Sequence, residues 1–135
     1  MRLCRLAAPV LAFAVLGGCG SDDESPPAAK PAATLRVVAP NTGGGSFRYA
    51  EKRLEAPAGS VELVLVNEDV HQHDVKVQTG VKCCYEAGAD DVGGTDVITK
   101  GKTSAVIDLE QGEYVFFCSV PGHAKDGMQG RLSVG

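Results

Sequence analysis

Residues 113–134 read EYVFFCSVPGHAKDGMQGRLSV, and this stretch decides the fold. EYVFFC is short, aromatic and β-branched, which are strand traits. GRLSV at 130–134 is a second such run, and turn residues separate the two. The same grammar recurs upstream in TLRVVA (34–39), SFRYA (46–50), SVELVLVN (60–67), HDVKVQ (73–78) and TSAVIDL (103–109). Helical periodicity is nowhere sustained, so the pattern predicts an all-β domain, an antiparallel β-sandwich. The stretch 79–94, TGVKCCYEAGADDVGG, is the longest irregular piece. It is read as an excursion outside the sandwich or a short helix.

The same stretch carries the chemistry. Cys118, His123 and Met128 stand at intervals of five in CSVPGHAKDGM. Two histidines and a thiolate in a plane, with a long axial thioether, form a site that cycles copper between its two oxidation states. A strand delivering Cys118 and a loop folding back through Pro121, Gly122, Gly127 and Gly130 would supply three of those four groups. The fourth must come from a distant strand. VNEDVHQHDVKV (66–77) holds the remaining histidines, His71 and His73. Against this stands the plainer reading of Cys118 as a small core residue and of Met128 as a gap filler. His and Met downstream of the cysteine, with Met128 near two glycines, argue against it.

YVFFCSVPGHAKDGMQGRLSV and VNEDVHQHDVKV together resemble the two copper-binding segments of the cupredoxin family, in the manner of plastocyanin, azurin and auracyanin. The resemblance covers residues 34–135 and implies a Greek-key β-sandwich, the cupredoxin fold, holding one type 1 (blue) copper ion. It implies equatorial His73, Cys118 and His123 with axial Met128, since the family places a histidine directly before Asn-Val or Asp-Val. His71 is then left as an exposed loop residue. The interval from cysteine to histidine is longer than in plastocyanin and resembles auracyanin. Asp74, where many members carry asparagine, is implied to link the ligand loops. Its backbone N–H would face the Cys118 sulfur and its side chain would meet the loop near Ser119.

The first residues read as an address. Arg2 and Arg5, the apolar run LAAPVLAFAVLGG and small residues before Cys19 have the order of a signal peptide over residues 1–18. LGGC at 16–19 resembles the lipobox of bacterial lipoproteins, which implies a lipidated Cys19. Gly20–Ala33, GSDDESPPAAKPAA, is polar and proline-bearing, so residues 19–33 are read as a lipidated cysteine plus flexible linker. Extended at about 3.1 Å per residue, it reaches roughly 40 Å. Residues 34–135 then form one domain. Without Arg2 and Arg5, the 13 basic residues fall to 11 against 17 acids, a formal charge of minus six. An acidic domain does not seek nucleic acid.

The implied function is that of a one-electron carrier, not an enzyme, and a monomer is the expected state. It would be lipid-anchored to the bacterial membrane, facing the periplasm or the exterior. Redox partner proteins would dock transiently near His123 on a small apolar patch of Val120, Pro121, Gly122 and Ala124. The alternative is copper storage or delivery. Such carriers usually expose several Met or Cys, whereas the exported chain has one Met, inside the motif. A copper enzyme with a second, open site needs more histidines than His71. The dinuclear centre of cytochrome oxidase needs two cysteines in this loop. Cys83 and Cys84 fit none of this. Oxidising surroundings favour a disulfide between them, with free thiols or a second soft-metal site as alternatives.

Overall fold

The computed structural model describes residues 29–84 and 89–135, so the expected signal peptide, Cys19 and most of the expected linker lie outside it. Eight strands follow in order: β1 (Ala33–Ala39), β2 (Arg53–Ala56), β3 (Gly59–Asn67), β4 (Lys76–Thr79), β5 (Asp91–Gly94), β6 (Gly101–Leu109), β7 (Gly112–Phe117) and β8 (Gln129–Val134). They form two sheets, β1-β3-β6 and β2-β8-β7-β4-β5. There is no helix among the described residues. The all-β cupredoxin-like sandwich is therefore as expected.

Alternation along the strands builds the core. Leu35, Val37 and Ala39 of β1, Val61, Leu63 and Leu65 of β3, and Ile107 and Leu109 of β6 turn one face inward. Val77 of β4, Tyr114 and Phe116 of β7, and Leu132 and Val134 of β8 meet them from the other sheet. A strand's side chains repeat every second residue, so the phase of each strand is fixed by its buried set. Continued by one step, the phase of β7 carries Cys118 to the core side, and that of β4 runs back through Val75 to His73.

Four local expectations are corrected. The sandwich is mixed, because β1 runs parallel to β3 and β2 parallel to β8. SFRYA at 46–50 is no strand. It lies where the chain leaves one sheet for the other, so Phe47 and Tyr49 point inward while few of its backbone groups meet a neighbouring strand. The strand proposed for 73–78 begins at Lys76, and His73 makes only an isolated bridge to Ile98. The irregular stretch 79–94 ends in an edge strand, β5, and no helix is seen in its described part.

Glycine serves two purposes near the chain's end. Gly122 and Gly127 have φ of 89° and 115° and permit the turn between Cys118 and Met128. Gly130 does not bend the chain. A Cβ there would stand 2.2 Å from Phe116 Cζ and 2.8 Å from the Lys52 carbonyl oxygen. Phe116 is fully buried and has no room to retreat. Gly130→Ala should therefore cost about 1–3 kcal/mol, as overpacked cores do. Urea denaturation of the copper-free chain checks this: the midpoint should fall with the slope unchanged, and an unmoved midpoint would show that Phe116 shifts freely.

Candidate metal centre

The end of β7, the loop after it and the isolated bridge at His73 bring the ring and sulfur groups together. Cys118, at the end of β7, is 1% exposed, as are His73 and Met128. Its backbone N–H donates to the Met128 carbonyl at 3.0 Å, and the Met128 N–H donates to the His123 carbonyl at 3.0 Å. The loop is thus closed on itself, and its three donor residues cannot drift apart. His73, 45 residues upstream of Cys118, is fixed by reciprocal backbone bonds with Ile98 at 3.0 and 2.9 Å.

Nδ1 of His73 lies 3.9 Å from Cys118 Sγ, and Nδ1 of His123 lies 3.7 Å from it. The two Nδ1 atoms are 3.2 Å apart. The point equidistant from the three atoms is about 2.1 Å from each, within the roughly 2.0–2.3 Å at which imidazole and thiolate hold an ion such as zinc. Burial lowers the pKa of both His73 and His123 below the ordinary histidine value, so each ring is neutral at neutral pH. Neutral rings that meet Nδ1 to Nδ1 cannot both present a lone pair to the other without repulsion. A cation between them removes the conflict. Cys118 requires it too: burial pushes its thiol up to about 11, although the backbone N–H groups of Asp74 and Val120 pull the other way. A thiolate in that position needs a positive charge beside it. Two imidazoles, one thiolate and a buried thioether form a soft, mixed donor set that fits one copper ion.

Supporting side chains complete the site. Asp74 is fully buried, and its carboxylate accepts the Ser119 N–H at 2.7 Å and the Ser119 hydroxyl. These two bonds join the ligand segments. Tyr49 OH donates to the Asp74 carbonyl, and Lys76 Nζ stands 3.8 Å from the carboxylate. His71 does not join the donors. It is half-exposed, and its Nδ1 lies 2.9 Å from Asp69 Oδ1.

Several contributors escape sequence reasoning. Phe47 stacks on the His123 ring at 3.9 Å between centroids and meets His73 edge-on at 5.4 Å. Asn67 donates to the carbonyls of His71, Ile98 and Thr99 at 2.8–2.9 Å, and its Oδ1 accepts the Asp69 N–H. Asp69 Oδ2 faces His73 Nε2 at 3.5 Å, too long for a full hydrogen bond but close enough for attraction, and has no other partner. This places the His73 proton on Nε2 and leaves Nδ1 free for the metal. Only the period-2 phase of Val61, Leu63, Leu65 and Asn67 hinted at any of them.

The model of the copper-binding proteins of the plastocyanin/azurin family matches residues 37–135. No curated protein matches the sequence. Auracyanin from the photosynthetic bacterium Roseiflexus castenholzii superimposes with a TM-score of 0.65 at 17% identity, covering 78% of this chain and 99% of that one. Auracyanin B gives 0.64 at 24% identity, covering 78% and 91%. Rusticyanin from Thiobacillus ferrooxidans gives 0.58 at 26% identity, covering 76% and 77%. The two auracyanins establish likeness of fold.

Asp69 links the site to acid stability. Burial would raise its pKa, but hydrogen bonds from the His71 side chain and from the N–H groups of Val70 and His71, with the weaker attraction of His73, outweigh burial and bring it from 3.8 to about 2. A depressed carboxylate contributes stability that is fully present above its unfolded value and lost as pH falls through its folded one. In the copper-free chain, the stability advantage of wild type over Asp69→Asn should hold above about pH 4 and shrink towards about pH 2. Urea midpoints of both forms across that range measure it. A constant difference would show that the Asp69 charge is not held by these bonds.

Proposed function

The chain belongs to the plastocyanin/azurin family of copper-binding proteins, and on that premise we propose that it is a one-electron carrier with copper on His73, Cys118, His123 and Met128. The observation that carries this reading is the buried triangle of His73 Nδ1, His123 Nδ1 and Cys118 Sγ. Copper bound there supplies a one-electron couple. The residues do the rest. His73 and His123 keep neutral rings because they are buried, and the strand phase and the closed loop hold the donors in place before the metal arrives. Fixed donors need little rearrangement between oxidation states, which favours rapid transfer over storage. Main-chain bonds from the ligand segments and the Asp74–Ser119 link restrain the loop. All four donor positions are filled by protein groups, so the reading is of a carrier and not an enzyme.

Electrons would leave by His123, which stands at the edge of burial with 9% of its surface exposed. Val120, Pro121, Gly122 and Ala124 surround it and are partly or fully exposed. Val70, beside His71, and Val97, beside Ile98, are 63% and 47% exposed. An apolar surface of this kind suits brief docking of a redox protein. The monomer would dock while tethered through a lipidated Cys19 at the outer face of a bacterial membrane. Supporting the tether are Arg2, Arg5, the apolar run and LGGC, followed by the polar linker.

Reconstituting the copper-free chain with copper(II) should give an intense blue thiolate-to-copper absorption and reversible one-electron voltammetry. Cys118→Ser should abolish the colour. His73→Ala should weaken copper binding by far more than His71→Ala, with competition against a chelator as the measure. Equal effects of the two histidine substitutions, or a blue Cys118→Ser protein, would overturn the ligand set. Separately, Cys19→Ala should move the protein from the membrane fraction to the soluble exported fraction. Continued membrane association would overturn the tether.

A further inference from the structure

Cys83 and Cys84 are joined as neighbours in a disulfide, and both are half-buried. They are not stray. They line a cleft of about 510 Å³ that also contains Cys118, Ser119, Val120 and Gly122 from the ligand loop. The otherwise enclosed Cys118 thus borders the same cleft as Cys83 and Cys84.

We propose that Cys83 and Cys84, when reduced, form a transient copper(I) site through which the ion enters the buried centre. The inference rests on copper being the metal of that centre. Four donors that are 1–9% exposed capture a hydrated ion slowly, because the ion must shed its water before it reaches them. Soft thiolates favour copper(I) and supply replacement ligands at the mouth of the cleft. Cys118 borders the cleft that Cys83 and Cys84 line, so the ion would pass between residues of one cleft. The paired disulfide has no thiolate to offer and would close the route.

The electrons and protons balance. A thiol reductant gives two electrons and is oxidised to its own disulfide, while the Cys83–Cys84 bond breaks and each sulfur takes one proton. Copper(I) displaces those protons, keeps its oxidation state, and moves to Cys118 as that thiol loses its proton. Cys83 and Cys84 then regain theirs.

The test loads the full copper-free chain with copper(I) buffered by a competing chelator. Three forms are compared: wild type with the disulfide intact, wild type reduced by a phosphine that is then removed, and the Cys83→Ser/Cys84→Ser double variant. Samples are oxidised at intervals, and the blue absorption reports centres filled. A tethered ion acts at millimolar effective concentration, so reduced wild type should load at least about tenfold faster than the other two from micromolar copper. It should also bind one more copper(I) equivalent, with the same final blue spectrum in all three. Equal loading rates overturn the proposal, and so does a reduced form that binds no additional copper. A double variant that is less stable yet loads as fast as reduced wild type assigns the pair a structural role only. The two wild-type forms share one sequence, so their comparison stands even if the double variant misfolds. Absence of blue colour in every form would instead refute the copper reading.

Discussion

The Asp74 carboxylate joins two segments 45 residues apart by accepting both the N–H and the hydroxyl of Ser119, and the geometry of the metal centre depends on this contact. A charge buried to 0% exposure is tolerable only when its lone pairs are occupied. Ser119 occupies both oxygens, and Lys76 stands 3.8 Å from Oδ2. Leaving such a group unsatisfied costs about 1–3 kcal/mol or more, so the two ligand segments are held together by the cost of separating them. Asp74 directly follows His73 and Ser119 directly follows Cys118. The clamp therefore acts one residue from each donor and transmits little slack.

Burial sets the chemistry of the donors as well as their positions. It lowers both imidazoles, which leaves them ready to bind, and it raises the Cys118 thiol, which leaves it reluctant. The site is thus two parts prepared and one part held back until a cation arrives. Metal binding then releases the thiol proton, so affinity must rise with pH. A centre of this kind benefits from a route that delivers an ion already stripped of water, and the cleft shared by Cys118 with Cys83 and Cys84 offers one.

Sequence reading reached the donors because they depend on local order. Alternation through Tyr114 and Phe116 aims Cys118 inward, and the loop back to Met128 needs only the turn residues that SVPGHAKDG visibly contains. Other features depend on which strands become neighbours. The parallel pairing of β1 with β3 leaves no mark on either strand. RLEA at 53–56 and DVGG at 91–94 are four-residue strands, too short and too polar or glycine-rich to stand out. Phe47 looked like strand alternation because an inward-pointing aromatic has the same spacing in a strand and in an extended crossing. Its stacking on His123, 76 residues away, is a tertiary fact with no local signature.

His71 and His73 show how far position outweighs residue type. In an uninterrupted strand, residues two apart share a face, and both rings would have met the core. The chain prevents this before β4 begins. Asn67 ends β3 by binding three carbonyls, and Asp69 accepts the N–H groups of Val70 and His71, so the backbone is folded into a tight turn at 67–71. One histidine leaves that turn half-exposed and the other enters the core bridge to Ile98. Asp69 then faces both, bonding His71 through Oδ1 and orienting His73 through Oδ2. The histidine that does not face the metal is thereby coupled to the one that does, because both act on the same carboxylate. Asp69 thus connects the solvent-facing ring to the buried one, at 2.9 Å from the first and 3.5 Å from the second.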